Sequence, residues 1–264
     1  MKLVWMTDIH LEFITAPYFV DIMKQVNDSQ AEGLIITGDI SNAHQLIGEL
    51  KNLSRGADML PIYFVLGNHD YYSGSFSTVH KNVRKLTKSF KNLKWLTTEG
   101  VIELTPSTCI IGHDGWYDGG YGNYSDSRVM LNDFYYINEL VGIDKYARLR
   151  KFEELAMGAV NYLNYQVPII AKTYKNIIFA THVPPFKEAS VYENKQSDEY
   201  YLPYFSSKLV GDCLLNLMNT YPECNMTVLC GHTHGKVDVQ VTKNLLVRVG
   251  EAEYREMFFE VIEI

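Results

Sequence analysis

The sequence predicts an α/β fold in which helices pack on a largely parallel sheet. Two observations favour this fold class. Short runs of β-branched and apolar residues alternate with longer amphipathic segments over the first ninety residues, and the last forty residues are again rich in β-branched runs. A β-α-β-α-β order is typical of parallel strands joined by crossover helices.

Three strands and three helices are predicted in the first part of the chain. Phe19, Ile22, Met23 and Val26 recur on one face of the first helix, as a helix packed on a sheet requires. Asn42 is a suitable N-cap for the second helix. The predicted strands are 2–6, 33–37 and 61–66, and the predicted helices are 16–30, 42–54 and 75–89.

The second part is less regular. The runs 101–104 and 108–112 flank Pro106 and resemble a hairpin. A long helix is predicted over 145–174, with a break before Pro168 because proline removes a helical hydrogen bond. The remaining predicted elements are strands at 176–180, 226–230, 236–241, 245–249 and 257–262 and a helix at 206–220.

Two segments show no periodicity, one near 112–145 and one near 183–205, and both are rich in tyrosine. Long irregular loops in compact domains are often functional, so these two segments are predicted to be lid-like. No run rich in proline, glycine or serine separates one part of the chain from another. The sequence therefore predicts a single domain over residues 1–264.

Composition limits the function classes. The chain is 47% hydrophobic and 21% charged, which is enough apolar material for a large core and excludes intrinsic disorder. No stretch reaches the roughly 18 apolar residues of a membrane helix, and no signal-peptide core follows Met1, so no membrane contact and a cytoplasmic location are expected. A net charge of −7 argues against a broad basic face for nucleic acid.

Metal-binding side chains follow five of the predicted strands. The carboxyl ends of strands in an α/β sheet form the edge at which ligands bind, so these side chains are expected to meet there. In chain order they are Asp8 and His10, Asp39, Asn68 with His69, His182, and His232 with His234.

The types and spacing of these residues favour a metal site. An Asp and a His two positions apart can both face one ion where the chain leaves the sheet, and glycines before Asp39, Asn68 and His232 permit sharp turns. Mixed oxygen and imidazole ligands suit Mn, Fe or Zn better than Mg or Ca. One carboxylate between two ions is the expected bridge of a two-metal hydrolase.

The motifs D-x-H, G-D, G-N-H-D, a lone His and G-H-x-H occur in this order between residues 8 and 234. This ordered set resembles the calcineurin-like metallophosphoesterase superfamily. The resemblance implies a four-layer α/β/β/α sandwich of two mixed β-sheets. It also implies two divalent metal ions, with Mn as the first choice and Fe, Zn, Ni and Mg as alternatives.

The resemblance also implies a role for each matching residue. The metal ligands and catalytic residues would be Asp8, His10 and His234 on the first ion, Asn68, His182 and His232 on the second, Asp39 bridging both, and His69 facing the leaving group. A bridging water or hydroxide would attack phosphorus. His69 would act as a general acid or stabilise the transition state.

The sequence departs from the protein Ser/Thr phosphatases of this superfamily. Those enzymes carry a second Asp three residues after the bridging one, where this chain has Asn42, and their GNHE is GNHD here, with Asp70. Asp70 is predicted to orient backbone groups rather than to bind metal. The match is closer to the small bacterial-type phosphohydrolases and phosphodiesterases.

The leading hypothesis is a phosphoesterase acting on a phosphomonoester or phosphodiester of a small metabolite or nucleotide. Two alternatives remain open at this point, a nuclease acting on DNA or RNA and a non-catalytic scaffold of the same fold. No segment specifies an oligomer. The candidate substrate contacts, from the two irregular segments, are His113, Asp114, Trp116, Tyr117, Arg128 and Lys187.

Overall fold

The computed structural model describes all residues from Met1 to Ile264. Its strands are β1 (Lys2–Met6), β2 (Leu34–Thr37), β3 (Ile62–Val65), β4 (Leu93–Trp95), β5 (Ile102–Thr105), β6 (Thr108–Gly112), β7 (Asn176–Ala180), β8 (Val191–Tyr192), β9 (Lys195–Gln196), β10 (Asn225–Cys230), β11 (Val237–Thr242), β12 (Leu245–Val249) and β13 (Glu260–Glu263). Its helices are α1 (Ala16–Asp28), α2 (Leu46–Gly56), α3 (Phe76–Ser89), α4 (Leu96–Glu99), α5 (Asp133–Tyr136), α6 (Lys145–Ile170), α7 (Leu202–Phe205) and α8 (Lys208–Thr220).

The strands form two large mixed sheets. The five-stranded sheet has the order β13-β1-β2-β3-β4, in which β1 to β4 are parallel and β13 pairs antiparallel with β1. The six-stranded sheet has the order β11-β12-β10-β7-β6-β5, with four parallel central strands and an antiparallel strand at each edge. Strands β8 and β9 form a separate small hairpin.

The two sheets pack face to face with helices on their outer faces. Successive side chains of a strand point to opposite faces, so Trp5 and Tyr63 of the first sheet pack with Ile110 and Ile178 of the second in a core between the sheets. The outer face of the first sheet packs with α1 to α3, and that of the second packs with α6 and α8. The predicted four-layer α/β/β/α sandwich is confirmed.

The parallel strands of both sheets end at the same edge of the sandwich. His182, which follows β7 in the second sheet, lies with its ring Nδ1 2.8 Å from the carbonyl oxygen of Thr37 at the end of β2 in the first sheet. This contact brings the carboxyl ends of the two sheets together. The loops after β1, β2, β3, β7 and β10 therefore surround a common site.

Several helix boundaries differ from the sequence prediction, and two of the differences have a clear physical reason. The predicted break before Pro168 is wrong, because α6 continues to Ile170 with Pro168 in its last turn. Proline this close to the C-terminal end removes one hydrogen bond and little else. Helix α2 begins at Leu46 rather than at Asn42, whose Oδ1 instead accepts hydrogen bonds from the backbone N–H groups of His44 and Gln45.

The two irregular segments contain short elements that periodicity did not reveal, namely α5 in the first and β8, β9 and α7 in the second. Strand β4 and helix α4 were missed for the same reason, because three or four residues are too few to show a period. Hydrogen bonds join the two segments, among them Asn123 N–H to Glu199 O (2.6 Å) and Gly119 N–H to Pro203 O (3.0 Å). Their action as lids stays a prediction. None of the helices combines the length and apolar character needed to cross a lipid bilayer.

Candidate metal centre

The loops at the common edge have an unusual backbone. Asp8, His10, Asp39, His232 and His234 all lie in the left-handed region, with φ between 38° and 70°. For residues other than glycine this conformation costs energy, of the order of 1–3 kcal/mol at strongly strained positions. It persists only where surrounding structure imposes it, and such residues concentrate at functional sites. The five positions are all among the ligands expected from the sequence.

Asp8, His10 and His234 form the first donor group, with candidate ligand atoms within 4.8 Å of one another. Hydrogen bonds from Thr7 Oγ1 (2.6 Å) and from the backbone N–H of His232 (3.0 Å) hold the Asp8 carboxylate in place. Both ring nitrogens of His10 are buried without a hydrogen-bond partner. Buried polar atoms are rarely left unpaired in proteins. The unpaired ring nitrogens of His10 are therefore available to bind a metal ion.

Asn68, His182 and His232 form the second donor group. The Oδ1 atom of Asn68 lies 3.1 Å from His182 Nε2 and 3.0 Å from His232 Nδ1. The other nitrogen of each ring faces a backbone carbonyl oxygen, Thr37 O at 2.8 Å for His182 and Tyr204 O at 2.9 Å for His232. Each histidine therefore donates from the outer nitrogen and turns the inner one toward Asn68.

This arrangement fits a cation. A neutral imidazole that donates from one nitrogen carries a lone pair on the other, and the amide oxygen of Asn68 is also an acceptor. When both rings are neutral, the Oδ1 atom of Asn68 therefore faces two further acceptors, His182 Nε2 at 3.1 Å and His232 Nδ1 at 3.0 Å. Only a proton or a metal ion between these atoms removes the repulsion between their lone pairs. Histidine ligands whose other ring nitrogen is held by a hydrogen bond are typical of metal sites.

Asp133 fixes the orientation of Asn68. Its Oδ1 accepts hydrogen bonds from Asn68 Nδ2 (2.9 Å) and the Tyr72 hydroxyl (2.6 Å), and its Oδ2 accepts one from the Tyr117 hydroxyl (2.6 Å). Because the amide nitrogen faces Asp133, the amide oxygen must face the two histidines. Asp133 lies in the first irregular segment with no motif around it, so the sequence alone does not point to this residue.

Asp39 lies between the two groups. Its Oδ1 is 3.4 Å from His182 Nε2 and its Oδ2 is 3.8 Å from His10 Nε2. The backbone N–H of His69 also donates to Oδ1, at 2.8 Å, and the ring Nε2 of His69 lies 4.0 Å from Oδ2. Asp70 points away from this centre, and its carboxylate accepts backbone hydrogen bonds from Ile40, Ser41 and Gly67.

Charge in the centre is concentrated on buried groups. Burial disfavours the charged form of His182, but the nearby carboxylates of Asp39 and Asp8 outweigh it and raise the pKa of His182 to about 10. Burial, reinforced by His182, lowers the pKa of His232 to about 4. Burial also opposes the charge on Asp39, yet His182 and His69 hold its pKa well below the usual range. In the metal-free protein, a proton on His182 therefore occupies the position proposed for a cation.

Most aromatic and histidine candidates from the first irregular segment lie away from this centre. The His113 ring is half-buried beside Tyr162, 5.6 Å between ring centroids. Trp116 packs in the core against Phe76. Tyr117 is buried too, but its ring stacks on the His232 ring at 6.0 Å and so helps to fix the orientation of His232.

The polar candidates also lie elsewhere. Asp114 is buried and accepts hydrogen bonds from Trp95 Nε1 (2.9 Å), Thr97 Oγ1 (2.7 Å) and other donors, so it is part of the core. Arg128 is exposed and lines a surface cleft between the two irregular segments. Lys187 is exposed in a short turn at 187–189. The structure brings none of these three side chains to the metal centre.

Aromatic rings that the sequence analysis passed over lie beside the centre instead. The Tyr254 ring is 4.7 Å from the His10 ring and 5.2 Å from the His234 ring. The Tyr72 ring stacks on His69 at 4.1 Å. Tyr72 lies four residues after Asn68, but no motif marks Tyr254, which reaches the site from the C-terminal segment.

A model of the calcineurin-like phosphoesterase family matches residues 1–236. The chain belongs to this family. The resemblance drawn from the motifs is therefore confirmed over most of the chain, and all the candidate ligands lie within the matched region. Tyr254 lies beyond it.

Solved structures with the same fold are distant in sequence. A dimetal phosphatase from Danio rerio matches with a TM-score of 0.58 and 12% identity, over 95% of this chain and 87% of that one. The protein TT1561 of Thermus thermophilus matches with a TM-score of 0.55 and 13% identity, over 98% and 97%. GAP50, the anchor in the inner membrane complex of Plasmodium, matches with a TM-score of 0.52 and 15% identity, over 94% and 70%. No curated protein sequence matches the chain.

Proposed function

We propose that the chain hydrolyses phosphoesters of small metabolites or nucleotides with the help of two divalent metal ions. One observation carries this proposal, the convergence of acceptor atoms from Asn68, His182 and His232 beside the buried carboxylate of Asp39. A divalent cation satisfies such a set, and without one a proton on His182 reduces the repulsion between the acceptors. Family membership supplies the reaction class.

The proposed ligands are Asp8, His10 and His234 for the first ion, Asn68, His182 and His232 for the second, and Asp39 for both. Mn is the first choice for this mixture of nitrogen and oxygen ligands, with Fe, Zn, Ni and Mg as alternatives. When bound, two such ions would lower the pKa of a coordinated water molecule and neutralise negative charge on the phosphoryl group.

His69 is proposed as the residue that acts on the leaving group. It follows Asn68 directly, its side chain is partly exposed to an open cleft, and its ring is held by stacking on Tyr72. A histidine in this position can donate a proton to the departing oxygen or stabilise the charge that develops on it. The backbone hydrogen bond from His69 to Asp39 keeps the ring next to the proposed metal ions.

Metal affinity is expected to increase with pH. The pKa of His182 is raised to about 10, so below that pH its Nε2 carries a proton that a metal ion must displace. Loss of one proton on binding makes the association constant rise about tenfold per pH unit. Calorimetric titration of the metal-free protein with Mn²⁺ between pH 7 and 9 measures this slope, and calorimetry in buffers of different ionisation enthalpy counts the protons. An affinity that is independent of pH would contradict the raised pKa of His182 in the metal-free protein.

The proposed function is tested by removing and restoring metal. The protein is stripped with a chelator, and Mn, Fe, Zn, Ni or Mg is added back before hydrolysis of p-nitrophenyl phosphate and bis-p-nitrophenyl phosphate is measured. We expect turnover to fall at least about a hundredfold on stripping and to return with metal. Preference for one ester separates a monoesterase from a diesterase. A protein that holds two metal ions and hydrolyses no phosphoester would contradict the proposal.

The two alternative functions have distinct outcomes in the same preparation. A nuclease would cut linear DNA or RNA with a strong dependence on salt concentration, which the net charge of −7 disfavours. A scaffold would bind no metal after stripping and re-addition. Neither alternative is favoured by a feature of the described site.

A further inference from the structure

A cleft of about 690 Å³ opens beside His69, and four of its lining residues are aromatic. We call it the aromatic cleft, defined by Phe13, Tyr72, Tyr136 and Tyr254. Phe13 and Tyr254 meet edge to face at 5.7 Å, and Tyr72 and Tyr136 lie 5.6 Å apart. The four rings come from separate parts of the chain, so two aromatic pairs are brought together only by the fold.

Three of these rings are unusually open to solvent. The exposed fraction is 48% for Phe13, 49% for Tyr136 and 44% for Tyr254. Large aromatic surfaces grouped in one concave site are typical of ligand pockets rather than of ordinary protein surface. By contrast, Trp116 and Tyr117, the aromatic residues of the first irregular segment that the sequence singled out, are buried.

The polar residues of the aromatic cleft are suited to a neutral, hydrogen-bonding ligand. Asn132 and the Nε2 atom of Gln45 provide amide groups, whereas the Asn42 amide is bonded to Gln45 and to the turn before α2; Glu12 and Arg255 bring opposite charges. Arg255 adopts a left-handed backbone with φ of 72°, which directs the chain back after Tyr254. A planar ring between aromatic side chains, with amides at its edge, is the arrangement by which proteins bind nucleobases.

The position of His69 decides which part of the substrate enters this cleft. His69 lines the aromatic cleft, whereas His232 and His234 line a separate cleft on the other side of Tyr254. If His69 acts on the leaving group, as the proposed function holds, the leaving group must occupy the aromatic cleft. We propose that the aromatic cleft binds the leaving group of the substrate, and that this group is a nucleoside or a similar alcohol carrying a planar heterocycle.

The reaction then has a defined balance. The oxygen of water forms a bond to phosphorus, and the bond between phosphorus and the nucleoside oxygen breaks. The departing oxygen takes a proton from the protonated His69 ring, and the proton released by water returns to His69 through solvent, so that the ring is restored. The proposal rests on the proposed function for this step, but the ring-binding part of it is a property of the aromatic cleft alone.

The test compares two phosphomonoesters with similar leaving oxygens, adenosine monophosphate and glycerol phosphate, on the metal-loaded enzyme. Both release an alkyl alcohol, so a difference reports binding of the ring rather than chemical reactivity. We expect kcat/KM to be at least about tenfold higher for the nucleotide, because stacking of one base on aromatic side chains has an effect of this size. The variants Phe13→Ala and Tyr136→Ala are expected to bring this ratio toward one.

The matched control is Tyr165→Ala, which removes an exposed tyrosine of α6 far from the site and should leave the ratio unchanged. Equal kcat/KM for the two esters, or a preference that survives both cleft variants, would overturn the proposal while leaving the phosphoesterase function intact. If neither monoester is hydrolysed, calorimetric binding of adenosine to metal-free wild-type and Tyr136→Ala protein tests the cleft instead, and the metal-restoration experiment with both p-nitrophenyl esters still decides the proposed function. Binding that the variant weakens supports the proposal, and no binding overturns it.

Discussion

Replacement of Asp39 by asparagine is expected to lower kcat by about a thousandfold or more, about 4 kcal/mol in activation free energy, while the protein stays folded. The carboxylate is buried, with one oxygen facing His182 and the other facing His10. Asparagine has the same shape and still offers an acceptor to the backbone N–H of His69. The change therefore removes one negative charge between the two donor groups and little of the packing.

The measurement is kcat with saturating metal, together with metal content by atomic emission and folding by circular dichroism. Asp21→Asn is the matched control, since Asp21 is exposed in α1 and contacts only Gln25 of the same helix through its side chain. It should keep the kcat of the wild type. Wild-type turnover by Asp39→Asn at full metal occupancy would remove Asp39 from the proposed mechanism.

The positions of the candidate ligands could be predicted because they depend on local sequence and on one rule of topology. Asp8, Asp39 and Asn68 each follow a buried apolar run, and parallel strands bring the carboxyl ends of such runs to one edge. The same reasoning applied to His182 and His232, which follow β7 and β10 in the other sheet. That the two sheets face each other with these edges aligned came from the family resemblance, not from periodicity.

The surroundings of the ligands could not be predicted, because they depend on contacts between distant parts of the chain. Asp133 orients Asn68 from 65 positions away. Trp116 and Tyr117 are predicted substrate contacts because they are aromatic residues of a long irregular segment, yet burial depends on what packs over a residue. Phe13 and Tyr254 lie in segments with no distinctive pattern, and only the tertiary structure places them beside His10.

The fold class was predicted correctly, and the errors in secondary structure concern short elements and element boundaries. Pro168 removes a backbone donor, but α6 needs only two more residues beyond it, and packing of Val167 and Ile170 in the core keeps the last turn helical. Asn42 has the side chain of an N-cap and uses it on a turn before α2. In α6 tertiary packing outweighs the local preference of proline, whereas Asn42 keeps its preferred hydrogen bonds in a turn and the regular helix begins at Leu46.

Replacement of Asp114 by alanine is expected to lower the free energy of unfolding by about 4 kcal/mol. The buried carboxylate accepts hydrogen bonds from the backbone N–H of Leu66 (2.8 Å), from Trp95 Nε1 (2.9 Å), from Thr97 Oγ1 (2.7 Å) and from the Tyr71 hydroxyl (3.2 Å). Alanine leaves these donors buried without an acceptor, and each unpaired group costs about 1–3 kcal/mol. Urea unfolding curves of the wild type and the variant measure the difference.

Two further variants separate this structural role from a role in substrate binding. In Asp114→Asn one oxygen can still accept from Leu66, Trp95 and Thr97, and the new amide can donate to the Tyr71 hydroxyl, whose proton can turn to His80 Nε2 at 2.9 Å. The loss should then be only about 1–2 kcal/mol. Asp126→Ala, an exposed aspartate of the same segment, should cost less than about 0.5 kcal/mol. An Asp114→Ala protein of unchanged stability with a raised KM would instead assign Asp114 to the substrate.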